Sequence, residues 1–389
     1  MPLWPFHSPD ALASATAVMA APDLGAVNHH ASVKKFEEGF VSWLRQPSGN
    51  AAFFNSGTSA LCAAIFALQL PRGSEIIVPS STFRSTVTPL FQFGLIPVIV
   101  SCDRSTMSID ADEVLKSIGP NTKAIVVNHQ WGLPVDGMRL AEIAREHHLY
   151  LVEDASHAHA TTIYGKPAGT LGDVSVFSCG TTKMVSGGLG GILYTRDKSM
   201  FDRSMLYGLA KHRVLETAED KTVRLNAAIG LGINLRGHPV AAELAFGHLN
   251  RIREIVGIKN RNVTALAELL TAHCPAIVPF ERPLRWTGGT WYKLPCSLRS
   301  KSLAMRASKI GKALGLRIEA CHENIGRQLD KYLSDRRLLN NLTLKYIDNS
   351  NDTFAHVILF DTRDMYDENI NFEPITKQLI KLHDELMYT

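Results

Sequence analysis

Long apolar runs are missing from this sequence. No stretch of about 18 or more apolar residues occurs in its 389, so no segment is expected to span a bilayer. Cysteine is sparse and scattered: Cys62, Cys102, Cys179, Cys274, Cys296 and Cys321 form no CxxC pair and no Cys/His spacing that suits zinc. No metal site is therefore expected, and the thiols read as those of a protein in a reducing cytosol. Basic runs of the kind that grip nucleic acid are also lacking, because the 41 basic and 37 acidic residues are spread along the chain and leave a formal charge of +4. The Ala-rich stretch from Ala11 to Ala21 has no Lys or Arg before it, which argues against an export signal. Neither repeats nor low-complexity segments occur.

What the sequence does have is an enzyme-sized balance of 45% hydrophobic and 20% charged residues. The length exceeds what one core usually organises, so a large domain with a smaller one is expected. From Ala51 to about Ile192, short β-branched runs alternate with amphipathic stretches, the signature of βαβ units around a mostly parallel sheet. Strands are predicted at Ile76–Pro79, Pro97–Ser101, Ala124–Val127, Tyr150–Val152, Val174–Ser178 and Gly191–Tyr194. Helices are predicted at Ser32–Leu44, Ser59–Leu70, Ala111–Ile118 and Gly137–His147. A long helix is expected from His238, with Pro239 near its start, to about His273. After Pro275 the pattern changes to short strands mixed with helices, as in an α+β unit.

Three local patterns carry chemistry. Ser56-Gly57-Thr58 opens an Ala- and Leu-rich helix, where free N–H groups and the macrodipole suit a phosphate, although the same residues also serve as a plain helix cap. Tyr150-Leu151-Val152-Glu153-Asp154 is an apolar strand ending in a carboxylate, delivered either to a ligand crevice or to an ordinary strand-end turn. Ser178-Cys179-Gly180-Thr181-Thr182-Lys183 places a lysine just after a strand and before the glycine-rich Gly187-Gly188-Leu189-Gly190-Gly191. Such a lysine is either a Schiff-base nucleophile or one more solvated cation.

In this order and spacing the three patterns resemble the DegT/StrS-type aminotransferases, over roughly residues 30 to 255. The resemblance implies the fold type I PLP-transferase class of α/β proteins: a large domain with a mostly parallel mixed sheet between helices, plus a smaller α+β C-terminal domain. It implies pyridoxal 5′-phosphate (PLP) held on Lys183, with Ser56, Gly57, Thr58 and Ser178 around the phosphate. Phe83 is implied to stack on the pyridine ring, Asp154 to pair with the ring nitrogen, and His157 to sit near the phenolic oxygen. Asn234, in Gly232-Ile233-Asn234-Leu235-Arg236, matches an asparagine that reaches a neighbour's phosphate across a homodimer interface.

The implied organisation is an arm over 1–30, loosely structured, a PLP-binding domain over 31–240, a connecting helix over 241–274 and a smaller domain over 275–389. The implied activity is transfer of an amino group from glutamate or glutamine to a keto sugar or keto cyclitol, in the cytoplasm and without nucleic acid or membrane. An elimination or other non-transaminating PLP reaction, or a non-catalytic regulatory relative, are the competing readings. Three departures fall on the substrate pocket: Leu189 stands where the family usually has an acidic residue, Gly237-His238-Pro239 follows the Asn-x-Arg motif where the family has an acidic or polar residue, and Cys179-Gly180 replaces an aromatic between Ser178 and the lysine. Trp286, Trp291, Tyr292 and His322 are offered as pocket-lining residues or as packing.

Overall fold

The computed structural model describes residues 4–22, 24, 29–228, 231–281, 289–321, 325, 328, 329, 345, 346 and 354–387. Apolar runs buried on both faces build its centre, as parallel strands covered by helices require. β1 (Asn50–Phe54), β2 (Glu75–Pro79), β3 (Ile96–Val100), β4 (Thr122–Asn128), β5 (Tyr150–Asp154), β6 (Val174–Ser178) and β7 (Gly191–Thr195) form one sheet with Lys345–Tyr346 at its edge. The order is β1-β7-β6-β5-β4-β2-β3 followed by that edge strand. Neighbours are parallel except at β7, which is antiparallel to both β1 and β6. β1 is not among the strands predicted, because Asn50, Ala51 and Ala52 carry little strand propensity. Pairing with β7 and the full burial of Phe53 and Phe54 override that weakness.

The segment expected to be a loose arm carries a helix, α1 (Pro9–Met19), capped by Ser8. Small residues let it dock: a Cβ at Gly247 would lie 2.5 Å from the Ala11 Cβ. α2 (Ala31–Trp43) buries Val33, Phe36 and Phe40 on the one face its spacing predicts. α3 (Gly57–Ala67) is apolar nearly all round because it packs against β1, β6 and β7, and α4 (Gly137–Glu146) lies beside β5. The single helix expected from His238 to His273 is two, α5 (Pro239–Asn250) and α6 (Ile252–His273), which meet at Arg251 where ψ rises to 7°.

Past α6 a second sheet of four antiparallel strands, β8 (Val278–Pro279), β9 (Lys293–Ser297), β10 (Ile318–Ala320) and β11 (Val357–Asp361), runs in the order β8-β9-β11-β10. α7 (Lys301–Ala313) and α8 (Glu373–Met387) cover it, around a core that includes Leu294, Ala304, Ile358 and Leu382. Just before β9, Tyr292 N–H is engaged outside the sheet, donating to Trp131 O at 2.8 Å. Among the described residues no helix is long and apolar enough to cross a membrane.

Candidate active site

The sheet brings its chemistry to one edge. In the register, Phe54 and Ser178 both lie opposite Gly191, and Val176 lies beside Asp154, so the ends of β1, β5 and β6 and the start of β7 share that edge. This is the ligand edge of an open α/β sheet. A cavity of about 470 Å³ opens there, lined among others by Ser56, Asp154, His157, Ser178, Lys183 and Tyr292.

The start of α3 forms one wall. Ser56 caps the helix, its Oγ accepting from Ser59 N–H at 3.0 Å, while Thr58 donates to Ser85 Oγ at 3.0 Å. Gly57 is required by contact: a Cβ there would sit 2.9 Å from the Ser178 Cβ. Free N–H groups at this turn, with the hydroxyls of Ser56, Thr58 and Ser178, make a cradle for an anion. On the opposite side both oxygens of Asp154 are held, Oδ2 by the Thr86 hydroxyl at 2.8 Å and Oδ1 by Ser156 N–H at 3.1 Å. Phe83 lies half exposed at the cavity, with the Arg84 guanidinium 4.9 Å from its ring centroid.

Lys183 sits in the turn between β6 and β7, its Nζ 4.3 Å from the Tyr292 ring centroid. Burial pulls its amine below the ordinary lysine range, and Tyr292 and the Asp154 carboxylate only partly restore it. Tyr292 is fixed by a 3.0 Å hydrogen bond between its hydroxyl and Thr182 Oγ1, and by stacking on His157 at 3.9 Å and 8°. Burial, followed by the charges of Lys183 and Lys293 and by His159, holds the His157 imidazole well below its usual value.

A second layer supports these groups. Buried His129 accepts from Val135 N–H at its Nδ1, which leaves Nε2–H to donate to Glu153 Oε2 at 2.9 Å. Glu153 also accepts from the N–H groups of Gly169, Leu171 and Gly172, tying the loop that enters β6. Burial raises its carboxyl, but these bonds, led by His129, outweigh it and keep the group below the usual carboxylate range. Sequence reasoning missed Thr86, His129 and Glu153 as supports; Glu153, a charge within an apolar strand, was the one local signal.

Eight of the nine proposed cofactor-binding residues, Ser56, Gly57, Thr58, Phe83, Asp154, His157, Ser178 and Lys183, line this cavity. Asn234 does not. It lies exposed in a separate concavity with His29, Arg213 and Arg236, its Oδ1 accepting from Arg236 Nε at 2.8 Å. Leu189 lines the cavity and is 71% exposed, and His238 caps α5. Trp291 is buried in the neighbouring core, whereas Tyr292 lines the cavity; Trp286 and His322 lie outside the described residues.

The donor set fits PLP: an anion cradle at a helix start, an anchored carboxylate for a ring nitrogen, and a primary amine for a carbonyl. A mostly parallel sheet with a lysine turn leading into an antiparallel strand, backed by a smaller antiparallel sheet, is the fold type I architecture. The chain belongs to the DegT/DnrJ/EryC1/StrS aminotransferase family, whose profile matches residues 12–319. It is 31% identical over 244 residues to GDP-perosamine synthase of Escherichia coli O157:H7, covering 61% of this chain and 64% of that one. Over 271 residues it is 30% identical to a putative L-glutamine:3-amino-2,3-dideoxy-scyllo-inosose aminotransferase of Micromonospora echinospora, covering 69% and 62%. The chain thus spans less than two-thirds of the length of these curated relatives. A solved 3-amino-5-hydroxybenzoic acid synthase shares the fold with a TM-score of 0.81 at 21% identity, over 99% of this chain and 98% of the other. An E. coli GDP-4-keto-6-deoxy-D-mannose-3-dehydratase with bound hydrated PLP does so at 0.77 and 19%, over 98% and 100%.

Proposed function

We propose that this protein is a PLP-dependent aminotransferase that moves an amino group from glutamate or glutamine to a keto sugar or keto cyclitol in the cytoplasm. The observation that carries this reading is the Lys183 amine, drawn below its ordinary pKa, in one cavity with Asp154 and the start of α3. Support for the substrate class comes from the names of the relatives, one a GDP-perosamine synthase and one a putative L-glutamine:3-amino-2,3-dideoxy-scyllo-inosose aminotransferase.

Ser56, Gly57, Thr58 and Ser178 would hold the phosphate, Phe83 would face the ring, Asp154 would pair with the ring nitrogen and His157 would stand by the phenolic oxygen. Bound there, PLP supplies a carbonyl that takes up an amine and a ring that accepts the electron pair left on the donor carbon. Lys183 would hold PLP through its amine, and its Nζ would take the proton from the donor Cα as general base. Its lowered pKa favours the neutral amine that this step needs. Asp154, locked by Thr86 and Ser156, would meet the ring nitrogen without reorganising. Asn234 serves the partner's phosphate in a homodimer, which accounts for its exposure outside the cavity.

Lys183→Ala is expected to lose the visible absorption of lysine-bound cofactor and all turnover; full activity would overturn the assignment. In the wild type, glutamine or glutamate should bleach that absorption and yield the 2-oxo acid. A panel of keto sugars and keto cyclitols then reads out the acceptor.

A further inference from the structure

Trp4 and Lys183 are 179 residues apart in the chain, yet Trp4 Nε1–H donates to the Lys183 carbonyl at 3.1 Å. The N–H of Lys183 is used within its own turn, donating to Gly180 O at 2.9 Å. Both main-chain polar groups of this residue are therefore held, one by the turn and one by Trp4.

The indole is itself fixed on two sides. It stacks on Tyr366 with centroids 3.8 Å apart at 18°, and on His248 at 4.8 Å and 20°. Tyr366 accepts a 2.9 Å hydrogen bond from Lys259 Nζ. His248 links the same two segments a second time: its Nδ1 accepts from Ser186 N–H at 3.0 Å, which leaves Nε2–H to donate to the Phe6 carbonyl at 3.0 Å. That pattern needs a neutral imidazole, and burial supplies it by pulling His248 down to about 4. None of residues 4–7 lines the cavity, so this segment meets the lysine loop from behind and touches no reacting atom.

We infer that Trp4 is a positioning residue for Lys183, and that residues 4–7 form a strap whose indole N–H fixes the backbone from which the lysine amine reaches the cofactor. The inference rests on the reading of Lys183 as the cofactor lysine. A side chain that must swing between two positions gains accuracy from a fixed root, and one degree of backbone freedom at that root is what Trp4 removes.

The test uses the full-length holoenzyme. Trp4→Phe keeps an aromatic ring, though a smaller one, against Tyr366 and His248 and removes the N–H donor. Its thermal midpoint and PLP content should stay close to wild type. The pH at which the visible band of lysine-bound cofactor titrates should shift by about half a unit or more. Loss of one neutral hydrogen bond from the reacting geometry should lower kcat roughly fivefold, with KM nearly unchanged. Deleting residues 1–7 should reproduce both effects and enlarge the loss in kcat. Either variant, folded, with wild-type kcat and band titration overturns the strap, as does a kcat loss that tracks only the loss of folded protein. Lys183→Ala separates the two readings: if it lacks the band while Trp4→Phe is unchanged, the strap alone fails, and if it keeps the band, the cofactor assignment fails.

Discussion

His159 is enclosed behind the lysine loop, 5.3 Å from the Phe177 ring centroid, and its Nε2 has no hydrogen-bond partner among the described residues. Burial, then the Lys183 charge, pulls its pKa from 6.5 to about 3. The unfolded chain therefore binds a proton below pH 6.5 that the folded one refuses until about pH 3, so this residue costs stability as pH falls through that window. Each pH unit within the window is worth roughly 1.4 kcal/mol. His159→Gln, which does not titrate, should gain on the wild type by about that amount per unit between pH 6 and pH 4 in urea unfolding; a difference independent of pH would place the acid sensitivity elsewhere. At this scale the sequence was legible wherever a residue sat in a local pattern. Asp154 closes an apolar strand, Lys183 follows one, and Ser56 opens a helix. Thr86 left no such trace, because what makes it matter is a contact across 68 residues to Asp154; Tyr292 could be offered as pocket or packing, but its contact across 110 residues to Thr182 could not be read.

Between elements, close approach decides the shape of the cradle. α3 starts against β6 and β7 with glycine at both contacts: a Cβ on Gly57 would lie 2.9 Å from Ser178 Cβ, and one on Gly191 would lie 2.4 Å from Gly57 N. Gly57→Ala must push the helix start away from Ser178, because the obstacle is the strand end and not a flexible tip. The expected cost is about 1–3 kcal/mol of stability from overpacking, with PLP affinity reduced roughly tenfold as the N–H groups lose their aim. Cofactor titration of the apoprotein, read beside its thermal midpoint, checks both; unchanged affinity would separate the α3 start from the phosphate. The helix and its Ser cap were readable from Ser56-Gly57-Thr58 and the alanines behind them. β1 was not, since its strand state comes from pairing with β7 and not from propensity. Nor was the break between α5 and α6, because Arg251 is neither proline nor glycine and carries no breaker signal.

For the whole molecule, eight of the proposed cofactor ligands converge in one cavity while Asn234 stands exposed in another. Within a single chain it lies outside the cavity that holds the cradle, so its proposed role, serving a neighbour's phosphate, exists only if two chains share their sites. That consequence was readable in the sequence only through the family resemblance, since nothing local in Gly232-Ile233-Asn234-Leu235-Arg236 says which chain's ligand it serves. It yields a test that stability effects cannot imitate. Lys183→Ala and Asn234→Ala should each be nearly inactive alone. Mixed and refolded or exchanged in equal amounts, half of the dimers carry one subunit of each kind. Each such dimer has one site with both defects and one built from the intact lysine of one chain and the intact asparagine of the other. Activity should therefore return to about a quarter of the wild-type value per subunit, and should fall again when a single chain carries both substitutions. If the mixture stays as inactive as its components, the sites are not shared, and Asn234 serves only the fold around Arg236.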